Sequence, residues 1–304
     1  MTSAIRVFHR LRHRPRANFR RLRPLTAAGR KRIAALRAAT LHDLAAAVLP
    51  RPVKVRLRAT QQAFAIVRLA MTGENGMDRG YALNILRNLG GHHARHCPVC
   101  GHVGRFAPFG IPPRIDALCP SCGALERHRL LAHVDRKAHI FRDADALLHI
   151  APEPVIAGVL RHHCSHYVSA DLMDPAADLH LDIEDMDVPS AAFDTVLCSH
   201  VLEHVDDRKA LGEIHRVLKP DGRLVAMIPV AEGCAATYED PDIQDAAHRA
   251  LHFGQGDHLR LYGADIRERL GEAGFSVHEY TAEGAEAVRH GLMMGEKVFV
   301  CDKT

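Results

Sequence analysis

The feature that most constrains the fold is an alternation of short apolar runs with helical patterns through the second half of the 304-residue chain. A helical segment at 206–219 places its apolar side chains on one face and offers Asp206 or Asp207 as an N-cap. This alternation predicts an α/β fold with a largely parallel sheet, whose ligands lie beyond the carboxyl ends of the strands. The expected strands are ALLHI (146–150), HYVSA (166–170), LHL (179–181), TVLCS (195–199), RLVAMIP (223–229), SVHEY (276–280) and KVFVC (297–301).

Two copies of Cys-Pro-x-Cys-Gly precede this region, with 18 residues between the pairs. The spacing predicts one zinc ion bound by Cys97, Cys100, Cys119 and Cys122, in preference to a redox dithiol or two unrelated turns. Because protein ligands would fill all four tetrahedral positions, the zinc is expected to be structural. The helical pattern ALERHRLLAHVDR follows directly, so the site should attach this helix to the preceding segment.

The N-terminal region differs sharply in charge from the rest of the chain. Residues 1–70 hold 17 Lys and Arg against one acid, Asp43, a net charge of +16. Since the whole chain carries +4, the remaining 234 residues carry −12. This basic arm is where RNA or an anionic membrane surface would bind, although charge runs are more often simply solvated.

The sequence also bears on the compartment. No run approaches the roughly 18 apolar residues that cross a bilayer, so no transmembrane segment is expected. Eight cysteines, four of them at metal-ligand spacing, favour a reducing compartment, and we expect the protein to be cytoplasmic. An organelle transit peptide would be rich in serine, but Ser3 is the one serine in residues 1–70.

The strand ends carry candidate cofactor-binding residues. In a nucleotide-binding fold, an acid about 20 residues after the first strand holds the ribose hydroxyls, and Asp171 ends the second strand at that distance. Asp182, near the end of the next strand, could accept from an exocyclic amine. The backbone of Ile183 could contact an adenine, and Ser199 ends the fourth strand.

Three stretches carry a family resemblance. FDTVLCSHVLEHVDD, ALGEIHRVLKPDGRLVAMIP and HLRLYGADIRERLGEAGFSV resemble class I S-adenosylmethionine-dependent methyltransferases of the type 11-like group, over roughly residues 145–301. The resemblance implies a Rossmann-like, seven-stranded, mostly parallel sheet with an antiparallel hairpin, and S-adenosylmethionine as cofactor. The cysteine pairs with ALERHRLL also resemble a zinc-binding segment that precedes this domain in some bacterial members.

The turn after the first strand departs from the family pattern. A glycine-rich loop is usual there, whereas this chain has Ala151, Pro152 and Glu153. S-adenosylmethionine has no phosphate and so does not need a cradle of backbone amides. Ala151 is small enough to let the cofactor approach, and Glu153 could face its amino group or sulfonium.

Catalytic and acceptor residues are expected after the fourth strand and in a later loop. His200, Glu203 and His204 are candidates for a base, although they could instead only cap the following helix. His258, Arg260 and Tyr262 form an alternating set that could close over the acceptor, or a surface loop that satisfies its own backbone.

The sequence therefore predicts three regions: a basic, partly helical or disordered extension at 1–90, a zinc module with its helix at 91–140, and a methyltransferase domain at 141–304. The expected function is methyl transfer to a small-molecule or glycan acceptor. One alternative is an RNA methyltransferase that uses the basic arm and zinc module. Another is a non-catalytic cofactor fold that binds partners and is anchored to a membrane by the arm.

Overall fold

The computed structural model describes residues 90–110, 113–141 and 144–304, with scattered positions between 53 and 88. Most of the extension expected at 1–90 lies outside these described residues. Within the described part of the chain, no helix is long and apolar enough to cross a bilayer.

The elements from residue 94 onward alternate as the sequence predicts. The strands are β1 (Ala94–His96), β2 (Val103–Arg105), β3 (Ala107–Phe109), β4 (Arg114–Leu118), β5 (Ala146–Ile150), β6 (His166–Asp171), β7 (Leu179–His180), β8 (Phe193–Ser199), β9 (Leu218–Met227), β10 (Tyr238–Glu239), β11 (Arg260–Leu261), β12 (Phe275–Thr281) and β13 (Lys297–Lys303). The helices are α1 (Glu126–Ala138), α2 (Pro154–His163), α3 (Asp207–Val217), α4 (Ala246–Phe253), α5 (Ile266–Glu272) and α6 (Gly284–His290), with a 3₁₀ turn at Leu202–His204.

Seven strands form one sheet in the order β7-β6-β5-β8-β9-β13-β12. The pairs from β7 to β9 are parallel, while β13 runs antiparallel to both β9 and β12. This confirms the expected Rossmann-like, mostly parallel sheet with its terminal hairpin. Because β13 is reversed, its first residue lies at the edge of the sheet where the parallel strands end.

Most boundaries agree with the sequence pattern. Asp206, one of the two predicted N-caps, caps α3 by accepting from the Lys209 amide at 3.3 Å. Two features of the strands differ. Strand β9 begins at Leu218, earlier than RLVAMIP suggests, because Leu218 already pairs with Phe193 of β8. The register between the two strands then shifts across the turn at Asp221. The four short strands β1 to β4 were not predicted, since three-residue polar runs such as ARH and VGR carry no clear period.

The sheet is covered on both faces because neighbouring residues of a strand point to opposite sides. On β5, Leu148 joins one buried cluster with residues of α3 and α5, while Leu147 joins another with residues of α1 and α2. Every residue of β5 is buried. The result is a three-layer α/β/α arrangement in which the central strands have no solvent-facing side.

Helix α1 belongs to one of these layers. Leu130, Leu131 and Val134 of α1 pack with Ile156 and Leu160 of α2 in the cluster beneath the sheet. The helix that follows the cysteine pairs is part of the hydrophobic core of the sheet domain.

Arg129 ties the cysteine region to both ends of this core. Its side chain is fully buried, and its guanidinium lies 4.6 Å from the centre of the Phe106 ring. Its distances to the carbonyl oxygens of Ala117, Ala124 and His290 are 2.7–2.8 Å. The guanidinium donates to the carbonyl oxygens of Ala117, Ala124, His290, Gly291 and Asp116.

Replacing Arg129 with alanine should destabilise the fold by more than about 3 kcal/mol, because several buried carbonyls would lose a charged donor. Chemical denaturation followed by circular dichroism measures this change. Arg136→Ala is the matched control, since Arg136 is on the same helix but exposed. Equal midpoints for the two variants would show that the buried guanidinium does not hold these segments together.

Candidate functional site

The four predicted zinc ligands are brought together by two turns of matching geometry. The Cys97 amide donates to the His102 carbonyl at 2.8 Å, and the Cys119 amide donates to the Ala124 carbonyl at 2.9 Å. Gly101 and Gly123 then fold back onto the first cysteine of each turn with φ values of 75° and 79°. An L side chain rarely adopts that conformation, which explains the glycine after each second cysteine.

The sulfur spacing fits a tetrahedral metal site. The Sγ atoms of Cys97 and Cys122 lie 3.7 Å apart, and those of Cys100 and Cys119 lie 3.8 Å apart. A zinc–sulfur bond of about 2.3 Å in a tetrahedron places two sulfurs about 3.8 Å apart. All four sulfurs lie within 4.8 Å of one another, so this donor set suits a structural zinc ion.

A second site is a cavity of about 720 Å³ at the carboxyl edge of the parallel strands. It lies where ligands bind in open α/β sheets. At the strand ends or just beyond them lie Ala151, Ser199, His200, Ile228, Pro229, Val230, Glu296 and Lys297. The start of α1 and its surroundings contribute Arg114, Glu126, Arg127 and Glu153. The loops and the 3₁₀ turn contribute Glu203, His204, Glu232, Gln255, His258, Met293, Met294 and Gly295.

Two strands enter this cavity through the same kind of backbone turn. Ala151 directly follows β5 with φ of 46°, and His200 directly follows β8 with φ of 53°. The Ala151 amide still donates to the Ala170 carbonyl at 2.8 Å, and the His200 amide donates to the Met227 carbonyl at 2.9 Å. The left-handed conformation that glycine would provide is therefore kept at both strand ends by residues with a Cβ atom.

The remaining predicted cofactor residues lie along the same edge. Asp171 ends β6, and its Oδ1 accepts from the amides of Met173 and Asp174 at 2.7 and 2.8 Å. Asp182 accepts from the Glu184 amide at 2.9 Å, and the Ile183 side chain is buried. Both acids thus shape the turns that follow β6 and β7.

Glu153 is bound by two residues at the start of α1. Its carboxylate pairs with Arg127, whose Nε lies 3.0 Å from Oε1, and with Nε2 of His128 at 2.8 Å. Burial raises the pKa of Glu153, but the hydrogen bonds from His128 and Arg127 outweigh burial and lower it to about 2. Docking of α1 therefore competes with the expected role of Glu153 toward the cofactor.

His200 forms the centre of a buried charged group. Its Nδ1 lies 3.5 Å from Glu203 and its Nε2 lies 3.7 Å from Glu296. Burial lowers the pKa of His200, but the two carboxylates outweigh burial and raise it to about 9. A protonated imidazole has no free lone pair, so it cannot accept a further proton. This environment suits His200 to pairing with negatively charged groups rather than to acting as a base.

His204 and His258 lie beside Glu203. Their rings are edge to face with centroids 4.8 Å apart. Nδ1 of His258 faces the Phe253 carbonyl at 3.2 Å, and Nδ1 of His204 faces the Asp257 carbonyl at 3.3 Å. The structure thus brings His258 to the cavity together with all three residues expected after the fourth strand, His200, Glu203 and His204.

Arg260 and Tyr262 lie in the interior instead of lining the cavity. Arg260 donates to the carbonyls of Leu202 and Val205 at 3.0 and 2.6 Å, and the Tyr262 hydroxyl donates to Asp207 at 3.0 Å. Tyr262 is fully buried, and burial raises its pKa. These contacts anchor the segment that carries His258 against the 3₁₀ turn, so contact of either residue with an acceptor stays a prediction.

Several cavity residues were missed by sequence reasoning. Arg114 pairs with Glu126 through contacts of 2.8 and 3.1 Å, and Lys297 pairs with Glu279 at 2.6 Å. The polar run Glu126-Arg127-His128-Arg129 was a usable signal, because charged residues at a helix start need partners. Glu296 and Lys297 could have been placed only from the reversed direction of β13.

Comparison with known proteins gives a family match inside this domain. Residues 155–226 match the model of a family described as a methyltransferase domain. An uncharacterised protein of Methanocaldococcus jannaschii is 48% identical over 50 residues, which is 16% of this chain and 20% of that protein. The match thus spans about a fifth of the relative's length.

Solved structures also resemble the chain. One is the 1,6-didemethyltoxoflavin-N1-methyltransferase of Burkholderia thailandensis, with 1,6-didemethyltoxoflavin and S-adenosylhomocysteine bound (19% identity, 58% of this chain, 76% of that chain, TM-score 0.41). Another is an S-adenosylmethionine-dependent methyltransferase of Archaeoglobus fulgidus (13% identity, 59% of this chain, 94% of that chain, TM-score 0.40).

The segment matched by the family model runs from the start of α2 to the end of β9, through the centre of the seven-stranded sheet. The sheet order and its reversed strand are those that the sequence motifs imply. Residues 155–226 of the sheet domain are therefore similar to a methyltransferase domain.

Proposed function

We propose that the protein transfers a methyl group from S-adenosylmethionine to a small-molecule acceptor, with a glycan as one possible class. The observation that carries the proposal is the cavity of about 720 Å³, which opens where β5, β8 and β9 end. In an α/β sheet, the cofactor and acceptor meet at this edge. A cavity of this size is typical of small-molecule sites.

The cofactor would lie across the ends of β5, β6, β7 and β8. Asp171 would bind the ribose hydroxyls with Oδ2, since Oδ1 already accepts two backbone amides. Asp182 and Ile183 would contact the adenine, while Ala151 and Ser199 would border the methionine part. Glu153 would contribute mainly by fixing α1 beside the cofactor, because Arg127 and His128 hold its carboxylate.

For methyl transfer, the protein mainly has to align the acceptor with the methyl group of S-adenosylmethionine. A lone pair of the acceptor forms a bond to the methyl carbon, the bond from that carbon to sulfur breaks, and its electron pair returns to sulfur to give S-adenosylhomocysteine. An acceptor that carries a proton releases it to a base or to water. Holding the two reactants in line can supply about 7–11 kcal/mol of the barrier.

The charges of the cavity favour a small acceptor over a polyanion. Its lining includes five glutamates, against two arginines and one lysine, together with three histidines. The arginines and the lysine are paired with carboxylates, so they present little free positive charge to a phosphate backbone. An RNA methyltransferase would need the basic arm to supply that charge.

We also propose that the four cysteines hold one structural zinc ion. The support is the sulfur spacing, which fits tetrahedral coordination, together with the two matching glycine turns. The ion would fix β1 to β4 beneath α1. It would thereby position Arg114 and Arg127 at the rim of the cavity.

Replacing Asp171 with alanine should weaken binding of S-adenosylmethionine by roughly 1.5–3 kcal/mol, the loss expected for hydrogen bonds to a charged group. Isothermal titration calorimetry measures the affinity. Asp171→Asn should also weaken binding, although its side-chain oxygen can still accept from the Met173 and Asp174 amides. This variant therefore separates the loss of the cofactor contact from the loss of the turn. Asp174→Asn, in the same exposed loop, is the control; wild-type affinity in both Asp171 variants would refute the proposed ribose contact.

Enlarging Ala151 should block the approach of the cofactor. We expect Ala151→Leu to weaken S-adenosylmethionine binding at least tenfold, because a larger side chain would project from a left-handed turn into the cavity. Ala151→Gly should bind like the wild type, since glycine adopts this conformation without strain. Thermal unfolding checks that both variants fold, and equal affinities for leucine and glycine would contradict the placement.

One zinc ion per chain is expected in the purified protein. Mass spectrometry of the metal content should find it in the wild type and in Cys234→Ser, a cysteine outside the cluster. It should be absent when Cys119 and Cys122 are both replaced by serine, because thiolates are the ligands. A metal-free wild type, or zinc that survives the double replacement, would disprove the site.

A further inference from the structure

Glu203, His204 and His258 form a second group of potential metal ligands, separate from the cysteines. One ligand atom from each lies within 4.8 Å of the others. Two imidazoles and one carboxylate are a donor set that suits first-row divalent ions. All three side chains line the cavity.

Two of these side chains are buried and have a polar atom without a partner. Glu203 is 1% exposed and His258 is 6% exposed. Within the described part of the chain, Oε2 of Glu203 and Nε2 of His258 have no hydrogen-bond partner. Burying a polar atom without a hydrogen-bond partner is unfavourable, so a ligand bound by these two atoms would relieve that cost.

The outer contacts direct the ring nitrogens inward. Nδ1 of His258 lies on the Phe253 carbonyl, so it carries the proton and leaves the lone pair on Nε2. Nδ1 of His204 faces Asp257, at 3.3 Å from its carbonyl oxygen and 3.4 Å from Oδ2, which leaves Nε2 available to a ligand. Metal-binding histidines are usually oriented by such a contact on the other nitrogen.

The backbone fixes the three ligands relative to one another. The Leu259 amide donates to the Glu203 carbonyl at 2.8 Å, directly beside His258. Arg260 donates to the carbonyls of Leu202 and Val205 on either side of Glu203 and His204. Arg260 is therefore a positioning residue that holds the loop ligand against the 3₁₀ turn.

We propose that Glu203, His204 and His258 bind a divalent first-row transition ion whose remaining coordination positions face the cavity. Resting on the proposed function, the acceptor class is an oxygen nucleophile that binds the ion and is thereby deprotonated more easily. The binding of the ion itself does not depend on methyl transfer.

Manganese is the probe, because thiolate sites favour zinc strongly over this ion. The protein is freed of loosely held metal on a chelating resin, its cysteine-bound zinc is checked at one per chain, and Mn²⁺ is titrated while electron paramagnetic resonance reports the free ion. We expect one bound Mn²⁺ per wild-type chain. Glu203→Gln and His258→Ala should weaken binding more than tenfold, since even an outer contact is worth about 10- to 100-fold.

Two further variants keep the test decisive. His204→Gln, at a half-buried position, replaces His258→Ala should that variant fail to fold. His133→Ala is the matched control in a second cluster with Glu286 and His290, where Nε2 of His290 already contacts Glu286 at 3.0 Å. Loss of Mn²⁺ in His133→Ala, or no binding to the wild type, would overturn the proposed site.

Separate measurements distinguish this proposal from the function on which its acceptor class rests. Bound Mn²⁺ with open positions should enhance the relaxation of water protons, and a bound ion without enhancement would overturn the open coordination. Calorimetry of the wild type with S-adenosylmethionine tests the methyltransferase function by itself. Failure of cofactor binding in the wild type would refute the methyltransferase but leave the Mn²⁺ result standing.

Discussion

The buried guanidinium of Arg129 is the contact on which the arrangement of the chain depends. It lies on the face of Phe106 and donates to carbonyls of β4, of the second cysteine turn and of the end of α6. Burying an arginine side chain is unfavourable because its charge loses hydration, and backbone carbonyls offset this cost only when several accept hydrogen bonds from the guanidinium. Four thiolates around a zinc ion would add negative charge nearby, so the metal and the arginine would stabilise each other. The cysteine region is thus built into the sheet domain and is not a separate attachment.

The sequence predicts the sheet well because its signals are local. Runs such as TVLCS and the apolar face of α3 are set by side-chain period alone, and both appear with boundaries shifted by a few residues. Contacts between distant segments leave no such pattern. Arg260 and Tyr262 alternate with His258 as if all three shared a face, yet the carbonyls of the 3₁₀ turn draw the first two inward. Glu296 reaches the cavity only because β13 is reversed, which depends on the whole topology.

Ala151 shows how the chain keeps a glycine-type turn without glycine. The left-handed conformation after β5 costs an alanine about 1–2 kcal/mol, and the same conformation recurs after β8 at His200. Both residues keep a backbone hydrogen bond to the neighbouring strand, so the sheet enforces the turn. The salt bridges of Glu153 with Arg127 and His128 fix the next residues. Strain at these two positions is typical of sites that bind ligands.

The segment matched by the family model contains only some of the residues that line the cavity. Residues 155–226 include Ser199, His200, Glu203 and His204, but the other residues that line the cavity lie outside that segment. Arg114, Glu126 and Arg127 come from the cysteine region, while His258 and Glu296 come from later loops. Under the proposed function, Asp171, Asp182, Ile183 and Ser199 of the matched segment would contact the cofactor. What distinguishes one acceptor from another would then come from the parts of the chain that the family model does not match, and Arg129 and Arg260 hold those parts in place.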